Sequence, residues 1–488
     1  MSILFSPVDK ASSVDLRDQV CEKISLRISQ GLLKPGLRLP SCRKAAAQLG
    51  VSRNTVVSAY HALIYDGLVE ARERSGYFVH RGVRSAPFAR ANEPACAPQR
   101  LFDRLSPTVT PSGYNIISRP GDWSQYPYPF VCNQMDAARF PLADWRKCNY
   151  QVLNRGQTAA VTGDHQYSDC AELVTQIRTR LLPRRGIVAG PDEILLTAGA
   201  QQAIYVLSQL LGGPGRRIAV EDPCYAEARN IFNLFFGDVR PINLDGEGLV
   251  CDQRLADCDL VYVTPNHQYP TSLRMSGARR KQLLDHAKRH NVVIVEDDYD
   301  CETDFDPLIK PALKASASDN LVIYIGSLSK SLSPGLRLGY MVAPADFIRE
   351  ARALRGMMIR HLPPQVQLTT ARFIRLGHHD AFISRLQGVY ERRWHAANTA
   401  LRRLFPDVQI TSGWGGTNFM ITAPKPVNLT DLAPAALAAG VVIDPIQVCF
   451  ETPGEGTNIF RLGVSAIGEK KITKGLERLR GVYDRFVG

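Results

Sequence analysis

"LVIYIGSLSKSLSPGLRLGY", residues 321–340, decides how the second half of the chain is read. Its first five residues are apolar and favour a strand. The chain then turns polar through Ser327, Ser329 and Lys330, and Pro334-Gly335 stops any continuation of the strand. Such a run is either an ordinary surface loop or a built chemical site. Four other short apolar runs share its form: "EILLTAG" (193–199), "RIAVEDP" (217–223), "DLVYVTP" (259–265) and "VVIVEDD" (292–298). Short buried strands alternating with helix-compatible segments predict an α/β fold with a mostly parallel sheet. Ligands of such sheets gather beyond the carboxyl ends of the strands, so the strand ends carry the functional reading.

Those ends hold a particular chemical set. Lys330 supplies an amine for a Schiff base. Asp297 can keep a ring nitrogen protonated, and Tyr299, two residues on and on the same face of an extended segment, can reach a neighbouring ring oxygen. Tyr225 offers an aromatic face for stacking. A phosphate would find the helix start at Ala200-Gln201, the hydroxyls of Ser327 and Ser329, and the guanidinium of Arg337. Taken singly each residue is unremarkable: a lysine after a strand is usually solvated, and Asp-Asp-Tyr at a strand end is usually a turn. Their joint occurrence at successive strand ends fits pyridoxal 5′-phosphate.

The first ninety residues read differently. They hold 14 Lys+Arg against 7 Asp+Glu, so +7 of the chain's net +12 is concentrated there. Clustered positive charge on a small module is the footprint of a polyanion binder. Leu16, Val20, Ile24 and Ile28 recur every four residues and predict a helix ending by Gly31. Ser41 can cap a second helix, "CRKAAAQL", that stops at Gly50, and Ser52 a third, with Val56, Val57, Tyr60, Leu63 and Ile64 inward. "LVEARERSGYFVH" (68–80) alternates about Ser75-Gly76 as a hairpin. Three helices and a hairpin make a winged helix-turn-helix. Ser52, Arg53, Asn54 and Thr55 then lead the third helix into a major groove of double-stranded DNA, where Arg can read guanine and Asn adenine. Arg43 would sit near the backbone, and Arg72, Arg74 and Gly76 of the wing would reach the minor groove.

At 488 residues the chain exceeds one ordinary core. The expected division is a DNA-binding domain over 12–80, a tether over 81–124 with six prolines, and a second domain over 125–488. With 45% hydrophobic and 22% charged residues it has a soluble composition, and no apolar run approaches the roughly 18 residues of a membrane span. No leader peptide is evident. Eleven scattered cysteines without a CxxC pair suggest reduced thiols in a cytoplasm, with neither a disulfide frame nor a metal site.

"GLLKPGLRLPSCRKAAAQLGVSRNTVVSAYHALIYDGLVEARERSGYFV" closely resembles the DNA-binding domain of the GntR family. "TAGAQQAIYVLSQLL", "AVEDPCYAEAR", "VTPNHQYPTS", "VEDDYDCE", "SLSKSLSPGLRLGY" and "IFRLGVS" resemble a fold-type I aminotransferase over about 125–488. Together they resemble a MocR-type regulator. The resemblance implies a winged helix-turn-helix joined to a pyridoxal-phosphate-binding, aminotransferase-like domain with a smaller C-terminal α+β subdomain. It gives Lys330 the internal aldimine, Asp297 the ring nitrogen, Tyr299 the ring oxygen and Tyr225 the stacking role. It makes Arg461 the fork for the carboxylate of a small amino-acid-like effector, which would form an external aldimine and free the lysine. It also implies a head-to-tail homodimer. Tyr269, Ser272, Cys170 and Ala200 depart from residues common in aminotransferases. The alternatives are an active aminotransferase with an accessory DNA-binding domain, and a regulator whose second domain binds a ligand without cofactor. The segment 123–136, "WSQYPYPFVCNQMD", is expected to border the ligand pocket.

Overall fold

Serine and aspartate caps set the helices of the N-terminal region. In the computed structural model these are Leu16–Ser29, Cys42–Leu49 and Arg53–Tyr65, followed by strands β1 (Val69–Arg72) and β2 (Gly76–Val79). The Asp15 carboxylate accepts the Arg17 N–H at 2.7 Å. Ser41 Oγ accepts from Lys44 N and Ser52 Oγ from Thr55 N at 3.1 Å. Gly50 closes the second helix at φ +72°, a left-handed value suited to glycine. The third helix buries Val56, Ala59, Tyr60 and Leu63, while Val57 and Ile64 are half-buried. Positions i, i+3, i+4 and i+7 define the innermost stripe, so Ala59 lies inward and Val57, expected inward, is half-buried. Val20, Ile24, Ile28, Leu49 and Val79 complete this core. The hairpin pairs Val69 with Val79 and Arg72 with Gly76.

The structure describes residues 7–9, 12, 14–73, 75–82, 115–154, 156, 158–165, 168–301, 304–306, 311–317, 320–413 and 415–487. Contacts divide the chain into Met1–Thr108 and Val109–Gly488. Residues 115–124, at the end of the expected tether, therefore lie in the second unit.

The second unit contains β3 (Tyr128–Pro129), β4 (Ile194–Thr197), β5 (Gly213–Asp222), β6 (Phe236–Asp245), β7 (Gly248–Leu249), β8 (Leu260–Val263), β9 (Val293–Asp298), β10 (Val322–Ser327) and β11 (Gly339–Val342). Eight of these strands form one sheet in the order β4-β11-β10-β9-β8-β5-β6-β7. The run from β10 through β9, β8 and β5 to β6 is parallel, while β11 is antiparallel to both its neighbours. Both faces are covered. Ile218, Val220, Ile323 and Ile325 meet the helices Ala200–Leu211, Ala226–Phe235 and Ala345–Ile359. Ala219 and Val322 face Leu283 and Ala287 of the helix Gly277–His290 on the other side. Burial on two faces is why these strands read as continuous apolar runs.

The C-terminal region holds β12 (Gln409–Thr411), β13 (Asn418–Thr422), β14 (Val441–Val442), β15 (Asp444–Pro445) and β16 (Ile459–Gly463). The order β12-β13-β16-β15 forms a small antiparallel sheet, and β14 pairs with β3. Trp394 on the helix His378–Leu404 and Leu476 and Tyr483 on the helix Glu469–Val487 cover it, together with Phe419 and Phe460 of the sheet. This is the α+β subdomain expected from the sequence. Among the described residues no helix is long and apolar enough to cross a membrane.

Candidate functional site

Alternation along β9 separates three successive acids by role. Glu296 points away from the pocket and accepts the N–H groups of Leu313 and Lys314 at 2.8 and 3.0 Å. Asp298 points the same way and binds Arg185 at 2.7 Å and the Tyr324 hydroxyl at 2.9 Å. Asp297 alone faces a pocket at the carboxyl ends of the parallel strands. That pocket brings together Lys330, Asp297, Tyr299, Tyr225, Ala200, Gln201, Ser327, Ser329 and Arg337, all nine residues singled out at the strand ends. Asn133, Tyr262, Thr264 and Tyr269 also line it.

The pocket floor is made by β8 and β9. Tyr262, on β8, donates from its hydroxyl to Asp297 Oδ2 at 2.7 Å. Oδ1 is buried and has no hydrogen-bond partner. Burial pushes the Asp297 carboxyl up to about 7, against the pull of the Tyr262 hydroxyl and of the Lys330 charge. Lys330 Nζ donates to the Asn133 carbonyl at 3.0 Å. Burial pushes this amine down to about 8; Asp300 opposes the shift, while Arg119 and Arg461 add to it. A lysine so placed is far more often a neutral nucleophile than one in water.

One end of the pocket is built for an anion by backbone. Gly199 adopts φ +84° as the chain leaves β4 and enters the helix Ala200–Leu211. A Cβ there would lie 3.2 Å from Arg337 Nη2. Arg337 itself donates to the Ala198 carbonyl at 3.1 Å, which fixes its guanidinium beside the helix start. Ser327 Oγ accepts the Ser329 N–H at 3.2 Å. Helix N–H groups, two hydroxyls and a guanidinium together could hold a phosphate.

Tyr225, Tyr269 and Tyr299 line the pocket, whereas Arg461 is not among its lining residues and contacts it through Tyr269. The Tyr225 and Tyr269 rings meet edge-on with centroids 5.2 Å apart, and Tyr269 meets Tyr299 at 6.2 Å. The Arg461 guanidinium lies over the Tyr269 ring at 4.5 Å. Arg461 is 0% exposed, and Nε, Nη1 and Nη2 have no hydrogen-bond partner. Burial pushes the Tyr299 hydroxyl up, and the neighbouring Arg461 charge works against that rise.

On the N-terminal unit, Ser52, Arg53 and Asn54 are exposed at the start of the third helix, with Thr55 half-buried behind them. Arg43 is exposed on the second helix. Gly76 stands opposite Arg72 in the hairpin. Arg72 is held by Glu70 at 2.5 Å and lies over the Phe78 ring at 4.4 Å. Arg74 lies outside the described residues. Arg38, which the sequence reading left without a role, is exposed, and its guanidinium lies 3.7 Å from where a Gly76 Cβ would stand.

Residues 16–79 match the bacterial regulatory proteins of the gntR family, and residues 130–479 match aminotransferase class I and II. The HTH-type transcriptional regulator TauR of Rhodobacter capsulatus is 38% identical over 467 residues, covering 95% of this chain and 96% of that protein. The chain belongs to the MocR-type branch of the GntR family. The probable rhizopine catabolism regulatory protein MocR of Rhizobium meliloti is 28% identical over 487 residues, 98% of this chain and 95% of that protein. Among solved structures, the α-aminoadipate aminotransferase LysN of Thermus thermophilus, complexed with N-(5′-phosphopyridoxyl)-L-leucine, is 26% identical. It has a TM-score of 0.66 and covers 73% of this chain and 92% of its own. The multiple substrate aminotransferase of Thermococcus profundus shares the fold at 24% identity and TM-score 0.69, covering 81% of this chain and 96% of its own. The MocR-type chain is thus a transcriptional regulator with a DNA-binding helix-turn-helix and an aminotransferase-like domain. Pyridoxal 5′-phosphate is its cofactor, and the site residues fit the group: an amine, a buried carboxylate oxygen without a partner, and a phosphate cradle share one pocket.

Proposed function

We propose that this regulator binds operator DNA through its winged helix-turn-helix and senses a small amino-acid-like effector at the cofactor pocket. The observation that carries the reading is the wall of Lys330, Asp297, Tyr225 and Tyr299 in a chain that begins with a DNA-binding module. The cofactor supplies an aldehyde carbon that amines attack reversibly and a ring that absorbs visible light. Lys330 would supply the amine that holds the group, and its depressed basicity would leave that amine free to exchange with an effector amine. Asp297 Oδ1, buried and without a partner, would hold the proton of a ring nitrogen. Tyr299 would donate to a ring oxygen and Tyr225 would offer its face to the ring. Ala200, Gln201, Ser327, Ser329 and Arg337 hold the phosphate. Arg461 pairs with the effector's anionic end as a bidentate fork.

On the DNA side, Arg53, Asn54 and Thr55 read base edges, while Arg43 and the wing contact the backbone and minor groove. The regulator acts as a head-to-tail homodimer in the cytoplasm, and effector binding at the pocket would change how paired DNA-binding domains address two half-sites.

The deciding experiment titrates purified holo-protein with amino compounds, including γ-aminobutyrate, taurine and D-alanine, while following its visible band, its DNA affinity and keto-acid production. A band shift with altered DNA binding and no sustained turnover supports sensing. Sustained keto-acid formation with a keto acceptor makes it an aminotransferase, and a colourless protein indifferent to added cofactor defeats both.

A further inference from the structure

Asp444 and Arg461 stand directly opposite each other on β15 and β16. Opposed residues in an antiparallel pair have Cβ atoms about 5 Å apart. Both side chains are 0% exposed. A buried carboxylate and a buried guanidinium so placed would ordinarily pair, since either charge alone is costly to bury. They make no hydrogen bond to each other. Arg119 takes both Asp444 oxygens instead, Nε to Oδ1 at 2.6 Å and Nη2 to Oδ2 at 2.5 Å, and the Cys132 N–H donates to Oδ2 at 3.2 Å. The Arg461 donors are left without a partner beside the pocket.

We propose that Arg119 is a positioning residue for effector recognition: it engages Asp444 and so keeps the Arg461 fork available to the anionic end of an amine ligand. This rests on the reading of Arg461 as the effector's anion site. Without Arg119, Asp444 is a buried charge with one backbone donor, and the Arg461 guanidinium stands opposite it across the strand pair. Asp444 then turns to Arg461 and occupies the fork. The effector class follows: a primary amine bearing a carboxylate or sulfonate, selected over uncharged amines because Arg119 keeps Arg461 unquenched.

The test uses holo-protein of wild type, Arg119→Gln, Asp444→Asn and the double variant. Each is titrated with taurine, γ-aminobutyrate and uncharged 2-aminoethanol by the change in the visible band. Wild type should prefer the anionic amines. Arg119→Gln should lose that preference by about ten- to a hundredfold, the worth of a charge-assisted pair, with 2-aminoethanol unaffected. Adding Asp444→Asn should restore it, because the competitor is gone. Equal loss for all three amines, or no restoration in the double variant, overturns the proposal, as does a wild type without anion preference. Should Arg119→Gln fail to fold, Asp444→Asn decides alone: retained or stronger anion preference supports the proposal, and its loss refutes it. A wild type with no visible band, or none that responds to any amine, defeats the sensing reading itself.

Discussion

Tyr262 donates its hydroxyl proton to Asp297 Oδ2 at 2.7 Å, so that the other carboxylate oxygen is the one presented to the pocket. The bond favours the ionised carboxylate, against the burial that pushes it up to about 7. Tyr262→Phe should therefore raise the Asp297 pKa further. Cofactor affinity should fall by about ten- to a hundredfold, the worth of about 1.5–3 kcal/mol for a hydrogen bond to a charged group. As pH falls, binding should be lost at a higher pH than in wild type. Equilibrium titration of apo-protein across a pH series reads both effects.

Lys330 carries a pH prediction of opposite chemistry. Its folded-state pKa, about 8, lies below the ordinary 10.5. The folded chain thus binds fewer protons than the unfolded chain between those values, and the cost of burying this amine is present below about 8 and withdrawn as pH rises to 10.5. Covalent capture of added cofactor by apo-protein should accelerate with pH and level off just above 8, rather than continue to 10.5. Stopped-flow absorbance follows it, and Lys330→Ala should show no capture while retaining DNA binding.

Gly199→Ala places a Cβ at φ +84°, 3.2 Å from Arg337 Nη2. Left-handed strain costs about 1 kcal/mol, and the displaced guanidinium weakens the phosphate cradle further. Inorganic phosphate should compete less well for the apo-site of this variant than for wild type, as measured by its inhibition of cofactor binding.

Ser52 has a structural role that can be separated from DNA contact. Ser52→Ala removes the cap on Thr55 N and should cost about 1 kcal/mol of stability in the N-terminal unit. Arg53→Ala should leave stability unchanged but cost about 1–3 kcal/mol of discrimination on an operator selected from random duplexes. Thermal unfolding and fluorescence anisotropy distinguish the two.

The strands were legible because burial on both faces leaves apolar runs that end abruptly in polar residues, and those ends were the pocket. Asn133 falls within the segment 123–136 expected to border it. Tyr262 and Thr264 were hidden inside "DLVYVTP", where they read as strand core; Tyr262 stands opposite Val295 on the neighbouring strand, two residues before Asp297 and on the same face. Arg119 and Asp444 meet across 325 positions of chain, and no local pattern announces such a pair. In the third helix, Val57 was expected inward, whereas helical geometry buries Ala59 instead.

The central claim is a covalent bond between Lys330 Nζ and pyridoxal 5′-phosphate in a DNA-binding regulator. Borohydride reduction of holo-protein followed by peptide mapping tests it directly. The pyridoxyl tag should sit on Lys330 in the peptide spanning "SLSKSLSPGLR"; a tag on another lysine, or none on cofactor-saturated protein, would contradict the account.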